Sequence, residues 1–272
     1  MPDPYAYPGT DVLINFPGYT DRELWKAAER TIIQAHAAFL AEHPLGGAFD
    51  LAHLQAIHAY LVRDFYAWGG QLRVTDTGPG GAGLAHCRPQ FIPAEAARIF
   101  AALSDDLEFL RDRDADAFSE GLAWVWGEMT VLHPFRDVNT RSQFVFFNQL
   151  AHAAGWLIDW AQIDPYVFGY ARTVAITSDE RGIDALIRPA LHPLSEVERQ
   201  EELGKLRESD QMFFQRARAR ENNSISNCGW RLAGVLRVPP RTVPTSVFPR
   251  SGSRHGGCGR SGSAGDPRWR LR

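Results

Sequence analysis

Cysteine is scarce in this chain: Cys87, Cys228 and Cys258 are the only three, and no two of them form a CxxC pair. That spacing argues against a structural zinc site and suits a reducing compartment. Long apolar runs are also missing, since none approaches the ~20 residues of a transmembrane helix. The opening segment MPDPYAYPGTDVL has neither the basic start nor the apolar centre of a signal peptide. Together these absences predict a cytoplasmic protein with no membrane partner, although a signal read by a dedicated export machine would escape this test. Residues 222–272 hold nine arginines, no lysine and one acid, Asp266, so they carry +8; with a net charge of −3, residues 1–221 carry −11. An acidic body lacks the clustered Lys and Arg that phosphate backbones require, so no nucleic-acid partner is expected. Neither a GxxxxGK[ST] phosphate loop nor an HExxH zinc motif is present. GPGGAG (78–83) satisfies GxGxxG literally, but Pro89 and Pro93 follow too soon for a helix and no βαβ alternation surrounds it. It reads as a hairpin tip.

What is present reads as mostly helical, in one large body. TDRELWKAAERTIIQAHAAFLAEH opens with Thr20 and, three residues on, Glu23, a capping-box pattern. Asp50 can cap a second helix, whose Leu54, Ile57, Leu61, Phe65 and Trp68 recur at helical spacing until Gly69-Gly70. His53 and His58 lie five apart on it and read as partly exposed. Arg73–Arg88 reads as strand, turn and return strand, and Pro93 suits the first turn of a helix to about Leu103. Phe118, Leu122, Val125, Met129 and Leu132 step by four and three, which marks a buried stripe on a helix over 116–132. Helices are also expected over about 140–154, closed by Gly155, and over 165–177, 180–191 and 193–221. Residues 222–272 are rich in Arg, Gly, Ser and Pro and predict a disordered tail.

LHPFRDVNTRSQF (132–144) concentrates the chemistry. His133 stands at a proline turn just past a buried helix. Asp137 is a carboxylate suited to Mg²⁺, which takes oxygen ligands and keeps its substrate phosphates. Asn139 stands where an N-cap is expected. The free N–H groups of the next helix start make an anion site, and Arg141 lies in that first turn. A base, a metal carboxylate and a phosphate cradle together point to phosphoryl or nucleotidyl transfer. A capped helix start carrying a surface Arg–Asp pair is the plainer alternative for the same residue types.

The stretch resembles the Fic-family signature HPFx[DE]GNGRxxR, matching at His133, Pro134, Phe135, Asp137, Asn139 and Arg141. DPYAYPGTDVL, Leu51–Arg73 and FFNQLAHAAGW also resemble this family in the right order, so the likeness spans about residues 3–192. The resemblance implies an all-α, Fic-type helical bundle with a small β-hairpin flap over the site. It implies a domain over 1–192, followed by the helix over 193–221 and the tail over 222–272. The implied activity is transfer of AMP from ATP to a Ser, Thr or Tyr hydroxyl of a target protein. By motif position His133 is the general base and Asp137 the Mg²⁺ ligand. Val138, Asn139, Thr140 and Arg141 would form the nucleotide cradle. Arg73, Val74, Thr75 and Leu84 of the flap would hold the target segment by strand-like pairing.

Three positions depart from the signature: Val138 and Thr140 replace its glycines, and Phe144 replaces its final arginine. A valine forced to positive φ costs about 1–2 kcal/mol. The inhibitory pattern [ST]xxxE[GN], whose glutamate grips the arginine absent at 144, is also missing. Control would then fall to a separate small antitoxin subunit or to no inhibitor at all. Two readings stay open: a weakened adenylyltransferase, and an impaired Fic domain that only binds nucleotide or protein.

Overall fold

A computed structural model describes residues 3–79 and 84–205. The first helix, α1 (Arg22–Glu42), is capped by Asp21, whose carboxylate accepts from Leu24 N–H at 2.9 Å. The cap is thus one residue later than the Thr20–Glu23 pattern predicts. Asp50 does cap α2 (Leu51–Val62), accepting from His53 N–H at 2.8 Å. That helix stops six residues before the expected Trp68. The Val62 carbonyl accepts from both Phe65 and Tyr66 N–H, which curls the chain, and Phe65, Tyr66 and Trp68 stay buried from the resulting turn.

Pro93 lies in the first turn of α3 (Ile92–Ala101), as expected. The centre of the molecule is α4 (Ala115–Leu132), on which Phe118, Leu122, Val125, Met129 and Leu132 are all buried. Burial contributes roughly 1.5–3 kcal/mol for each such side chain. Around α4 pack α3, α5 (Asn139–Ala154), α6 (Pro165–Thr177) and α7 (Arg181–Ile187). Gly155 ends α5 at φ 92°, a conformation open to glycine without steric cost.

That reversal starts β1 (Trp156–Ile158), which pairs antiparallel with β2 (Leu191–Pro193) in the register Leu157↔His192. No strand was expected here, because three residues are too short for a periodicity signal. A further helix, α8, starts at 196 and runs to the last described residue, 205. Ser195 and Glu198 cap it reciprocally, with Ser195 N–H donating to Glu198 Oε2 at 2.8 Å and Glu198 N–H to Ser195 Oγ at 3.3 Å. The expected continuation to 221 and the tail over 222–272 lie outside the described residues.

The all-α class holds. The flap carries no regular ladder among the described residues. One backbone bond, His86 N–H to Thr77 C=O at 3.0 Å, joins its two arms, and the tip, 80–83, lies outside the described residues. Its roots are fixed instead to the end of α4, through Arg73 N–H to Pro134 C=O at 2.9 Å and Cys87 N–H to Val131 C=O at 2.8 Å. Among the described residues, no helix is long and apolar enough to cross a membrane.

Candidate functional site

The site forms where α4 ends and α5 begins. His133 terminates α4 in the left-handed region, at φ 42°. Its ring stacks on that of His86 from the flap, with centroids 3.7 Å apart. Burial first, and then His86 and the cations Arg172 and Arg73, push the His133 pKa well below the ordinary histidine value. The imidazole is therefore neutral at physiological pH and free to accept a proton. His86 is pushed down to about 4, mainly by burial, and its Nδ1 lies 2.9 Å from Thr77 Oγ1.

Val138 is the N-cap residue of α5, at φ 63° and ψ 9°. The left-handed geometry that glycine would favour is thus retained, and the valine side chain is 2% exposed. No side chain caps α5, so the first-turn N–H groups remain available to an anion. Relief of about 1–2 kcal/mol of strain is set against loss of a buried valine worth roughly 1.5–3 kcal/mol. Glycine also adds about 0.5–1 kcal/mol of backbone entropy cost. Val138→Gly is therefore expected to destabilise by about 1 kcal/mol and to lower the thermal midpoint by a few degrees. A rise in Tm would show that strain outweighs packing.

Asn139 was expected to cap α5, but it is the first helical residue. Its amide is turned inward: Oδ1 accepts from Phe135 N–H at 2.9 Å and Nδ2 donates to Phe135 C=O at 2.8 Å. It shapes the loop and leaves the cradle to backbone groups of the following turn. Asp137 uses Oδ1 to accept from Val138 N–H at 2.7 Å, and its Oδ2 lies 3.2 Å from Lys26 Nζ. Burial alone would raise its pKa; Lys26, the Val138 N–H and Arg141 together more than offset this and leave it lowered. Among the described residues, no group of three or more His, Cys, Asp or Glu could hold a metal. One ionised carboxylate does fit a hard cation that arrives with phosphate oxygens.

Arg141 is held by Glu29 of α1, at 3.1 Å, and lies 3.9 Å from Asp137. Glu29 is buried, accepts from Tyr66 Oη–H, and lies 3.5 Å from Lys26. Trp25 Nε1–H donates to Tyr66 Oη at 2.8 Å. Arg141 gives this carboxylate one nitrogen, Nη2, and Lys26 adds a cation beside it. Sequence spacing hides Glu29 and Lys26, because they lie more than 100 positions from the motif.

Two other histidine readings change. His53 and His58 were expected to be partly exposed, and both are buried. His58 stacks on Phe135 with centroids 3.8 Å apart, accepts from Gly70 N–H through Nδ1 at 2.8 Å and donates from Nε2 to Asp137 C=O at 3.3 Å. Burial lowers its pKa to about 3. Its place between Ile57 and Leu61 on the apolar stripe was the available signal.

Of the flap residues expected to meet a target, Val74 is 70% exposed, and Thr75 and Leu84 are half-buried. Arg73 is not on that face. It is 2% exposed, with Nε donating to His133 C=O at 2.7 Å and Nη1 to Thr75 C=O at 2.7 Å, while Nη2 donates to Cys87 C=O. With Leu132 C=O a fourth acceptor at 3.4 Å from Nη2, this buried guanidinium fastens the flap, and the Arg73 backbone N–H is given to Pro134 C=O rather than to strand-like pairing. Phe144 packs its ring against Trp126, Trp160 and Phe168, at 5.3, 4.5 and 5.7 Å.

Comparison with known proteins agrees with this geometry. The sequence model described as "Fic/DOC family" matches residues 48–151. The probable protein adenylyltransferase y4lH of Sinorhizobium fredii is 34% identical over 186 residues, covering 68% of this chain and 94% of that protein. The probable protein adenylyltransferase Fic of Escherichia coli K12 is 31% identical over 199 residues, covering 72% and 96%. Among solved structures, the BepC effector of Bartonella tribocorum with bound AMPPNP superposes with a TM-score of 0.65 at 23% identity, covering 70% of this chain and 97% of that one. An αL loop between two buried helices, a neutral histidine before it, an uncapped helix after it and relatives matched over nearly their whole length lead to one assignment: this chain belongs to the Fic/DOC family.

Proposed function

We infer that this protein is a protein adenylyltransferase, which transfers AMP from ATP to a Ser, Thr or Tyr hydroxyl of a target protein. The observation that carries this reading is the neutral, buried His133 beside the uncapped start of α5, in a chain 34% identical to a protein named as a probable protein adenylyltransferase over 94% of its length. His133 accepts the proton of the incoming hydroxyl. The hydroxyl oxygen then bonds to the α-phosphorus, the bond from that phosphorus to the bridging oxygen breaks, and pyrophosphate leaves. The N–H groups of Thr140 and Arg141 hold the phosphates, and the Arg141 guanidinium takes the charge that builds toward the leaving group. When bound, Mg²⁺ would neutralise phosphate charge, and Asp137 would be its protein ligand.

The exposed Val74, beside the half-buried Thr75, is the flap surface offered to an extended target segment. Because position 144 gives an inhibitory glutamate nothing to grip, control of the reaction falls to a separate antitoxin-type subunit that covers the cleft by another contact, or to no inhibitor at all. Incubation of the full chain with α-labelled ATP, Mg²⁺ and a cell lysate is expected to label protein bands. Label from α-³²P-ATP with none from γ-³²P-ATP identifies AMP as the transferred group. Labelling from the γ-position instead would replace this reading with phosphoryl transfer.

A further inference from the structure

A second guanidinium enters the site from a direction the motif does not describe. Arg172 projects from α6 and is 8% exposed. Its Nη1 donates to Thr140 Oγ1 at 3.1 Å and its Nη2 to Gln143 Oε1 at 2.9 Å, while Nε–H is buried without any acceptor. Both acceptors are neutral, and among the described residues Arg172 is in no ion pair with a carboxylate. Every other strongly buried cation of the site is differently placed: Arg73 is enclosed by backbone carbonyls.

Burying a cation without an anion is costly. A guanidinium has five N–H donors, and two hydrogen bonds leave most of that capacity unused. Its charge reaches the reaction centre, because it contributes to lowering the pKa of both His133 and His86. Burial alone brings Arg172 itself down to about 10, so it remains protonated at neutral pH. Thr140, the residue it touches, belongs to the uncapped first turn of α5.

Its position also answers the gap at 144. The Phe144 ring contacts Phe168 on α6, and Arg172 stands one helical turn beyond Phe168, on the same face. The α5 position that lost its cation therefore packs against the neighbouring helix that carries one. We propose that Arg172 is a ligand for the terminal phosphates of the nucleoside triphosphate, supplying from α6 the charge that α5 lacks at Phe144. This rests on the adenylyltransferase reading for the identity of the nucleotide, but not for the existence of the anion subsite.

The test is calorimetric titration of the full-length protein with ATP and with AMP, each with Mg²⁺, for the parent, Arg172→Ala and Arg172→Lys. Loss of one charge-assisted contact corresponds to roughly a tenfold or greater weakening. Arg172→Ala is expected to weaken ATP by that factor and to leave AMP within twofold of the parent. Arg172→Lys, which keeps the charge but not the fork, should fall between them. Equal weakening of ATP and AMP would make Arg172 a brace for Thr140 and Gln143 and overturn the proposal. Unchanged ATP affinity in Arg172→Ala would overturn it as well. If Arg172→Ala does not fold, the lysine variant decides: a selective loss for ATP supports the proposal, and parent-like or parallel affinities reject it. A parent that shows the ATP-selective effect but labels no protein would remove the transferase reading while leaving this subsite in place. A parent that labels protein with the same ATP dependence as its Arg172→Ala variant would remove only the subsite.

Discussion

Replacing His133 by alanine is expected to abolish AMP transfer, with a fall of roughly 10²–10⁴-fold, while ATP still binds. Asn139 braces the loop through Phe135, and Glu29 holds Arg141, without the imidazole. Its removal should therefore leave the thermal midpoint within a few degrees. The pH profile adds a stricter check. Because burial, His86 and the nearby cations lower the His133 pKa, the base form persists as pH falls below the ordinary histidine value of about 6.5. Activity should accordingly be retained from pH 7.5 to 6, and its acid limb should lie lower. An acid limb centred at 6.5 would mean that the catalytic complex exposes the ring to water. Unchanged labelling by the alanine variant would remove His133 from the mechanism altogether. In cells, growth arrest on expression that disappears with His133→Ala would tie toxicity to the same chemistry.

Acid should also destabilise the fold more steeply than its carboxylates alone would allow. His58 is lowered to about 3 and His86 to about 4, each chiefly by burial, and His133 lies well below its ordinary value. In the unfolded chain all three titrate near 6.5. Below that pH the unfolded state binds protons that the native state refuses, so stability is full above about 6.5 and is lost as pH falls. Each such histidine costs on the order of 1.4 kcal/mol per pH unit below that point. Two of them imply about 3 kcal/mol at pH 5.5, and His133 adds to it. The Tm measured at pH 7.5 and 5.5 should fall by roughly 5–10 °C. Replacing His58 by Gln should remove about one proton from the slope. A Tm that is flat across this range would show that the three rings protonate in place.

The parts of this molecule legible from its sequence are those written in local spacing. The α4 stripe, the Gly155 stop and the proline-led starts of α3 and α6 all emerge from residues within one or two turns of each other. His133, Asp137 and Arg141 stand together because they belong to one short loop and the helix start that follows. What was not legible depends on chain segments far apart. Glu29 and Lys26 meet Arg141 and Asp137 across more than 100 residues, and His86 reaches His133 through a flap whose path no periodicity encodes. Arg172 is the clearest case. On α6 it follows Phe168 and precedes Ala175 on the buried face, where spacing alone predicts an apolar residue. The two inverted expectations, Arg73 and Asn139, have one cause. Arg73 was expected in the target-binding flap and Asn139 in the nucleotide cradle by resemblance to the family, but backbone groups of the loop take up the polar groups of both side chains.

Arg73 gives the flap a mechanical character that target binding must respect. Its guanidinium joins the carbonyls of Thr75 and Cys87, one on each arm of the flap, to the carbonyl of His133. The N–H groups of Arg73 and Cys87 are themselves bound to Pro134 and Val131. Amide hydrogens at these two roots can exchange with solvent only when this junction opens, so their protection should approach that of the α4 core. Because the junction is closed before a target arrives, the orientation of His133 is part of the folding free energy. On the proposed role of His133 as base, a docking segment bears little of the entropy of assembling it, and its affinity can be modest without loss of turnover.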